Sequence, residues 1–456
     1  MAKHTEKTPE HTPGNLKEAL ANPHDGGPSG GMPLAPDHPP TPSLMKQSTT
    51  RGYAFALSVV ALALLMLYGC TTPMRQNAVP QELTRQAAIP GLPTVRYRIP
   101  EEVPAVIEAA KASAVREKAY LTQLGERSLP PVAFLALSGG GDNGAFGAGL
   151  LNGWTAAGTR PEFKLVTGIS TGALIAPFAF LGPAYDGVLK RVYTEVSRKD
   201  ILKMRSMLAA VTNDAIADSA PLWQILRQEV NATLLAAIAA EHAKGRLLLI
   251  GTTDLDARQP VIWNMGEIAA SGNPKALELF QSIMIASASI PGVFPPVMVE
   301  VEAGGRSYQE MHVDGGTVAQ VFVYPAGLNL RELARELGGA AGAERPRSLY
   351  LIRNARLDPD WAEVDRLTYK IAGKAISSLL HSQGIGDLYR IYLIAQRDGV
   401  DYNLAYIPPT FKAEHKEDFD TMYMRQLYAL GYELAVKGYP WQKTPPGYAG
   451  AGSALR

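Results

Sequence analysis

Cysteine and net charge are both scarce in this chain of 456 residues, and each scarcity excludes a class of protein. The single cysteine, Cys70, excludes an intramolecular disulfide framework and Cys-rich zinc or iron–sulfur sites. The 44 Lys and Arg residues balance the 43 Asp and Glu residues, and a net charge of +1 argues against a nucleic-acid partner. Hydrophobic residues make up 46% of the chain, which excludes a polytopic membrane protein but allows one membrane segment.

Residues 1–44 have many prolines and glycines and few large apolar side chains. Such a segment cannot bury enough apolar surface to offset the entropy lost on ordering, so a disordered N-terminal extension is predicted. Met45 stands just before Lys46. A start at Met45 would give a targeting segment of ordinary length, and the sequence leaves open whether residues 1–44 are translated.

An apolar run from Gly52 to Gly69 follows two basic residues and ends at Cys70. This order is typical of a secretory signal. The tetrapeptide Leu67-Tyr68-Gly69-Cys70 resembles the bacterial lipoprotein box, in which the cysteine is acylated, although Tyr68 departs from the small residue usual there. Residues 45–70 are therefore predicted to be a lipoprotein signal peptide or, as the alternative, a plain membrane anchor. Lipidation would place the protein in a bacterial cell envelope, at the outer membrane or its periplasmic face.

The rest of the chain divides by composition into three stretches. Residues 71–130 begin with scattered prolines and continue with a helical pattern over residues 105–124, which predicts a linker and a helical approach segment. Residues 131–438 alternate buried-strand and helix patterns and are predicted to form the main α/β domain. Residues 439–456 are rich in proline and glycine and predict a flexible tail.

The main domain opens with an apolar run, Val132 to Leu137, that is typical of a buried parallel strand. A glycine-rich loop and a helix of small residues follow. The loop contains G-x-G-x-x-G as Gly139, Gly141 and Gly144, which alone is a weak dinucleotide signal. The second strand does not end in an acidic residue and no Gly-Lys-Ser/Thr follows, so nucleotide binding is not supported. Backbone N–H groups at a helix start favour an anion.

The next strand, residues 163–167, leads into G-x-S-x-G as Gly168, Ser170 and Gly172. A strand, a sharp turn and a helix are the context in which this motif exposes a nucleophilic serine. Ser170 is therefore the candidate nucleophile. The N–H of Thr171 at the helix start would face the developing oxyanion, together with donors from the glycine loop.

A serine hydroxyl needs a base, and the residues leave two kinds open. One is a histidine of a Ser-His-Asp triad. The other is Asp314, which ends a short strand and precedes Gly315 and Gly316. The histidines available in the main domain are His242, His312, His381 and His415.

Taken together, these motifs resemble the patatin-like phospholipase family. Its oxyanion loop corresponds to residues 139–144, its nucleophile elbow to 168–172, its aspartate turn to 314–316 and the preceding loop to 286–296. The resemblance implies an α/β three-layer sandwich with a mostly parallel central sheet. It implies a Ser–Asp dyad of Ser170 and Asp314, oxyanion donors at Gly140 and Gly141, and no cofactor.

The same resemblance implies membrane lipids as the substrate and partner, whether phospholipid or another acyl ester. Asn143 stands where the family usually has Arg or Lys, so weaker activity or a different substrate is expected. Two alternatives stay open: a conventional Ser-His-Asp esterase, and an envelope lipoprotein with a decayed site that binds lipid or a partner. The sequence indicates no oligomeric state.

No metal site is predicted. Asp254 and Asp256 lie in one turn, but no neighbouring His or Glu completes a ligand set. Late in the chain, residues 365–380 and 416–436 have the periodicity of amphipathic helices.

Overall fold

The computed structural model describes residues 75–126, 128–206, 213–338, 345–359 and 361–448. Cys70, the apolar run before it and the predicted N-terminal extension lie outside these ranges. Among the described residues, no helix combines the length and the apolar character needed to cross a membrane.

One mixed sheet organises the described part of the main domain. Its strands are β1 (Arg96–Arg98), β2 (Val132–Leu137), β3 (Phe163–Gly168), β6 (Leu247–Asp254), β7 (Gln259–Asn264), β8 (Val297–Ala303), β9 (Arg306–Asp314), β10 (Arg347–Arg353) and β11 (Asp401–Tyr406). The strand order is β1-β7-β6-β3-β2-β10-β11, with β9 pairing to β6 and β8 pairing to β9. Two short strands, β4 (Lys203–Met204) and β5 (Ala217–Asp218), pair with each other away from it.

The five central strands, β6, β3, β2, β10 and β11, run parallel. Most of them coincide with continuous apolar runs of the sequence. A strand that is buried on both faces has no solvent-exposed positions at which polar residues would alternate with apolar ones. Leu135 and Leu351 are fully buried examples. The parallel order brings the carboxyl ends of these strands to one edge of the sheet, called the carboxyl edge below.

Along the edge opposite β7, strand β6 pairs with two different strands in succession. Its first half pairs in parallel with β3 up to Gly168 opposite Ile250. Its second half pairs antiparallel with the end of β9, where Asp314 lies opposite Thr252. The end of β9 therefore lies beside the end of β3, and this places Asp314 next to the turn that carries Ser170.

Helices cover both faces of the sheet. They are α1 (Val103–Gln123), α2 (Gly144–Ala156), α3 (Thr171–Leu181), α4 (Asp186–Thr194), α5 (Arg198–Ile201), α6 (Ala220–Glu229), α7 (Ala232–Ala243), α8 (Met265–Ala270), α9 (Ala276–Ala288), α10 (Leu330–Glu336), α11 (Thr368–Asp398) and α12 (Thr421–Val436). One core lies between the sheet and α2, α3, α9 and α12, and the other lies between the sheet and α1 and α11. The predicted α/β three-layer arrangement is confirmed.

Glycines let α2 and α12 approach each other closely. A Cβ on Gly149 would lie 2.0 Å from the Tyr428 carbonyl oxygen, and one on Gly153 would lie 2.2 Å from that of Tyr432. Both distances are far below van der Waals contact, so only glycine fits. This close packing fixes α2, whose first residue, Gly144, closes the glycine-rich loop.

Two boundary predictions differ from the structure. The approach segment is part of the domain, because β1 pairs with β7 and α1 covers one face of the sheet. β1 was not visible in the sequence, since its Arg-Tyr-Arg pattern lacks an apolar run. Residues 439–448 of the predicted tail also pack on the domain: Trp441 lies against Trp154 and Tyr350, with ring centroids 5.0 Å from each.

Candidate active site

The G-x-S-x-G turn joins β3 to α3 and holds Ser170 in a backbone conformation that side chains rarely adopt, with φ 54° and ψ −127°. A Cβ on Gly168 would lie 2.4 Å from the Gly172 carbonyl oxygen. One on Gly172 would lie 2.3 Å from the Leu137 carbonyl oxygen. The two glycines therefore permit a turn that stores about 1–3 kcal/mol of strain at Ser170. The predicted sharp turn is present.

Asp314 ends β9, and its carboxyl group interacts with the Ser170 hydroxyl, which lowers the pKa of the carboxyl group. The N–H of Gly316 donates to Asp314 Oδ1 at 2.7 Å. Burial raises the pKa of Asp314 to about 7, against the lowering effect of these two interactions. A carboxylate with a pKa near neutrality is well matched to accepting and returning a proton at physiological pH. Gly315 must lack a side chain, since its Cβ would lie 2.5 Å from the Gly251 carbonyl oxygen.

Two serines that the sequence analysis did not single out hold the elbow and the aspartate together. The Ser170 N–H donates to Ser287 Oγ at 3.0 Å, and the Ser287 hydroxyl donates to the Gly251 carbonyl at 2.7 Å. The Asp314 N–H donates to the Ser289 carbonyl at 2.9 Å. Both serines lie in the loop of residues 286–296, so the family resemblance identified the segment but not these contacts.

The glycine-rich loop lies directly beside the candidate nucleophile. A Cβ on Gly139 would be 3.2 Å from the Cβ of Ser170, and one on Gly144 would be 2.2 Å from Thr171 Oγ1. Gly140 and Gly141 have positive φ values of 158° and 59°. Within the described part of the chain, the N–H groups of Gly140, Gly141 and Thr171 have no hydrogen-bond acceptor. Unpaired donors at such a turn are suited to stabilise negative charge on a ligand oxygen.

Asn354, at the end of β10, sets the shape of this loop. Its side-chain amide donates to the Ser138 carbonyl at 2.9 Å, and its Oδ1 accepts from the Gly147 N–H at 3.1 Å. A Cβ on Gly140 would lie 2.0 Å from the Asn354 carbonyl oxygen. Asn354 is fully buried. No sequence signal marks it, because its partners lie more than 200 residues away along the chain.

The segment before α12 supports the other side of the loop. Asp142 Oδ2 accepts from His415 Nε2 at 2.7 Å and from the Phe419 N–H at 2.9 Å. Asn143 Oδ1 accepts from the Tyr423 hydroxyl at 2.6 Å. Asn143, the departure from the usual basic residue, is thus held by a neutral hydrogen bond.

Three of the four candidate histidines bond to groups other than Ser170, and the fourth, His381 on α11, has no hydrogen bond to Ser170 within the described residues. His415 bonds to Asp142, as described above. His242 Nε2 lies 3.1 Å from Glu267, and His312 bonds to Thr252 and Glu310 through its two ring nitrogens. Asp314 is therefore the titratable partner that the described residues place on the Ser170 hydroxyl.

The sequence analysis found no histidine or glutamate to complete a metal site at Asp254, but the folded chain brings one of each beside it. Glu310 and His312 lie beside it, with ligand atoms of all three residues within 4.8 Å of one another. Both Glu310 oxygens, however, accept hydrogen bonds from the buried Arg96 guanidinium. Burial opposes ionisation of Glu310, but the hydrogen bond from His312 and the charge of Arg96 outweigh it and keep its pKa well below the usual range. We assign this cluster as a buried ion-pair network.

Comparison with known proteins identifies the domain. Residues 135–326 match the sequence model of the family described as Patatin-like phospholipase. No curated protein sequence matches the chain. These matched residues contain the glycine loop, the elbow and the aspartate turn.

Two solved structures resemble the chain weakly. VipD from Legionella pneumophila is 12% identical, with 67% of this chain and 66% of VipD covered and a TM-score of 0.27. Human GIVD cytosolic phospholipase A2 is 10% identical, with 69% of this chain and 52% of that protein covered and a TM-score of 0.27. The matches thus span about two thirds of VipD and half of the human protein. TM-scores of 0.27 do not establish a shared fold.

The family match covers the glycine loop, the serine turn and the aspartate turn, and the sheet has the predicted mostly parallel order. Residues 135–326 are therefore similar to the patatin-like phospholipase domain, whose family consists of carboxylic ester hydrolases.

Proposed function

We propose that this protein is a lipid acyl hydrolase of phospholipase A type that uses Ser170 and Asp314 as a catalytic dyad. The observation that carries the proposal is the interaction between the Ser170 hydroxyl and a buried carboxyl group whose pKa is raised to about 7. The ionised form of Asp314 accepts the hydroxyl proton, and the released Ser170 oxygen attacks the ester carbonyl carbon.

The tetrahedral oxyanion is stabilised by the N–H groups of Gly140, Gly141 and Thr171, which have no other acceptor within the described residues. Asp314 then returns its proton to the departing alcohol, and an acyl ester remains on Ser170. A water molecule gives its proton to Asp314 and attacks this ester. The fatty acid leaves and Ser170 regains its proton, so the dyad ends as it began.

The test compares Ser170→Ala with Ser307→Ala in the full-length protein. Ser307 is exposed on β9 and serves as the matched control. Fatty-acid release from phospholipid vesicles should fall by at least about 1,000-fold in Ser170→Ala and stay unchanged in Ser307→Ala. Equal activity in Ser170→Ala and the unaltered protein would rule out this mechanism.

We further propose that the enzyme is tethered to a membrane of the bacterial envelope through residues 45–70, with Cys70 as the acylated residue. The support is the apolar run that ends at the single cysteine of the chain. Mass spectrometry of the N-terminal peptide of the purified protein tests this: acyl chains on Cys70 are expected. An unmodified Cys70 preceded by an uncleaved run would leave the plain anchor instead.

A further inference from the structure

A groove lies over the amino ends of the central strands, between α1 and α10. Its volume is about 1100 Å³, just above the range of about 300–1,000 Å³ that is typical of small-molecule sites. About 13 Å of β3 separate Lys164, which lines the groove, from Gly168 at the carboxyl edge. The groove is therefore distinct from the site around Ser170. Its floor consists of apolar side chains at the starts of β2, β3 and β6: Val132, Phe134, Leu165, Leu247 and Leu249.

Helix α1 forms one long wall of this groove. Its residues Val106, Ala109 and Ala110 line the groove, and the two alanines leave space that a larger side chain would fill. The lining extends along α1 from Val106 to Thr122, a distance of about 24 Å. One leaflet of a bilayer has a hydrocarbon layer about 15 Å thick, which is the depth that one acyl chain spans. The groove is thus long enough for a single acyl chain and its headgroup.

Three charged side chains, called the charged trio below, lie within this apolar lining. Lys164 Nζ is 2.9 Å from Glu117 Oε2, and Arg345 donates to the two Glu117 oxygens at 2.8 and 3.0 Å. None of the three side chains is more than 14% exposed. Two largely buried cations thus share one carboxylate, so the charged trio carries one net positive charge.

The surroundings of the charged trio do not compensate this charge. Burial lowers the pKa of Lys164 to about 8, and the positive charge of Arg345 acts in the same direction. Lys118 and Arg335, which are both exposed, add positive charge to the lining. Besides the carboxylate of the trio, Glu126 is the only acidic residue among the described lining residues. A bound anion would therefore stabilise the protonated form of Lys164.

Arg345 has hydrogen-bond donors available for such an anion. A guanidinium carries five N–H groups. In Arg345 one of them donates to the Pro130 carbonyl at 2.8 Å and two donate to Glu117, so two have no acceptor among the described residues. Guanidinium groups form strong hydrogen bonds with carboxylates. An apolar groove with a net positive charge and spare guanidinium donors suits a long apolar chain that ends in a carboxylate.

We propose that this groove binds a free long-chain fatty acid, with its carboxylate at Arg345 and its chain along the starts of β2, β3 and β6. The chain contacts the apolar floor, and the carboxylate balances the net charge of the charged trio. A lipid acyl hydrolase releases such an acid, so the proposed reaction would supply the ligand. Binding in the groove does not require that Ser170 be catalytic.

Photo-labelling of the full-length protein tests the location. The protein is placed in nanodiscs of neutral phospholipid with a long-chain fatty acid that carries a diazirine at its chain end, and labelled peptides are mapped by mass spectrometry. Labels are expected on α1. Ala110→Trp should fill the groove and lower this labelling at least about tenfold. Ala112→Trp is the matched control and should keep full labelling, because Ala112 is exposed on the same helix and does not line the groove.

A neutral probe tests the role of charge. The fatty alcohol with the same chain and diazirine lacks the carboxylate, so at equal concentration the acid should label the unaltered protein at least about tenfold more strongly. Arg345→Gln leaves Glu117 paired with Lys164 and removes the net charge, so this preference should disappear. Arg191→Gln also removes an arginine from an ion pair with a glutamate and should retain the preference. Because Arg345→Gln leaves the groove open, it tests the proposal even where Ala110→Trp does not fold.

Three results would overturn the proposal. Labels could be absent from α1 in the unaltered protein, or equal in Ala110→Trp and Ala112→Trp, which would place the acid elsewhere. The alcohol could label the unaltered protein as strongly as the acid does, which would refute recognition of the carboxylate. The probe could also be excluded while chemical cross-links join two chains at α1, which would assign the groove to a second copy of the protein.

Hydrolysis of a soluble short-chain ester reports on the proposed function separately. Ala110→Trp lies outside the site around Ser170 and should leave this activity unchanged. An unaltered protein that binds the acid but hydrolyses no ester would refute the proposed function alone. An active protein that does not bind the acid in the groove would refute the fatty-acid site alone.

Discussion

The buried carboxyl group of Asp314 should make the stability of this protein depend on pH in a way that one substitution removes. The pKa of Asp314 is about 7 in the folded protein, against an ordinary value of 3.8 for an unfolded chain. Between these two values the folded protein holds a proton that the unfolded chain has released. The free energy of unfolding therefore falls as the pH rises through this window and is level above about pH 7.

The magnitude follows from the size of the window. Each pH unit contributes about 1.4 kcal/mol, so the whole shift of about three units destabilises the ionised site by about 4 kcal/mol. Between pH 5 and pH 7 the contribution of Asp314 changes by about 2 kcal/mol, because the group is half titrated at pH 7. Asp314→Asn cannot ionise and should lack this change, while it should also abolish ester hydrolysis because the amide accepts no proton.

The assay is chemical denaturation of the full-length protein and of Asp314→Asn in detergent at pH 5, 6, 7, 8 and 9. The difference in unfolding free energy should move in favour of the variant by about 2 kcal/mol from pH 5 to pH 7 and change by less than about 0.5 kcal/mol above pH 7. Using the difference cancels other titrating groups and any fixed structural cost of the substitution. A difference that is flat from pH 5 to pH 9 would refute the raised pKa. An acidic limb of kcat/KM near pH 4, rather than near pH 7, would refute it independently.

Three further substitutions test the glycine-rich loop, a histidine as the alternative base, and the packing of α2 against α12. Gly140→Ala should lower activity at least about 100-fold because its Cβ would meet the Asn354 carbonyl, whereas Gly158→Ala, with positive φ but open space, should stay active. His415→Ala should cost less than about tenfold in kcat and leave the acidic limb in place; a 10,000-fold loss would favour a His-dependent triad. Gly149→Ala should destabilise the protein by about 3 kcal/mol or more in thermal unfolding, whereas Gly187→Ala in α4 should be neutral or stabilising.

Much of the site was predictable because its motifs are local. A strand, a sharp turn and a helix are encoded within a few residues, so Ser170 and its flanking glycines could be identified from the sequence. The contacts that align these motifs were not predictable. Ser287 and Asn354 act through hydrogen bonds to segments far away in the sequence. The cluster of Asp254, Glu310 and His312 was missed for the same reason, since β6 and β9 meet only in the folded sheet.

Helix α11 shows the same division on a larger scale. Its amphipathic pattern was visible over residues 365–380, but the helix runs from Thr368 to Asp398. Periodicity indicates that a helix forms; it does not indicate which half the sheet covers. The burial of its later residues, such as Leu388 and Ile391, is seen only in the folded chain.

The sequence by itself determined the local chemistry: a strained serine turn, a glycine loop with outward N–H groups and an aspartate before two glycines. These follow from backbone sterics, which act over a few residues. The tertiary structure alone decided which titratable group lies beside Ser170 and with what pKa. It did so by ending β9 where β3 ends and by burying Asp314 there, and neither pairing register nor burial is a property of any short segment.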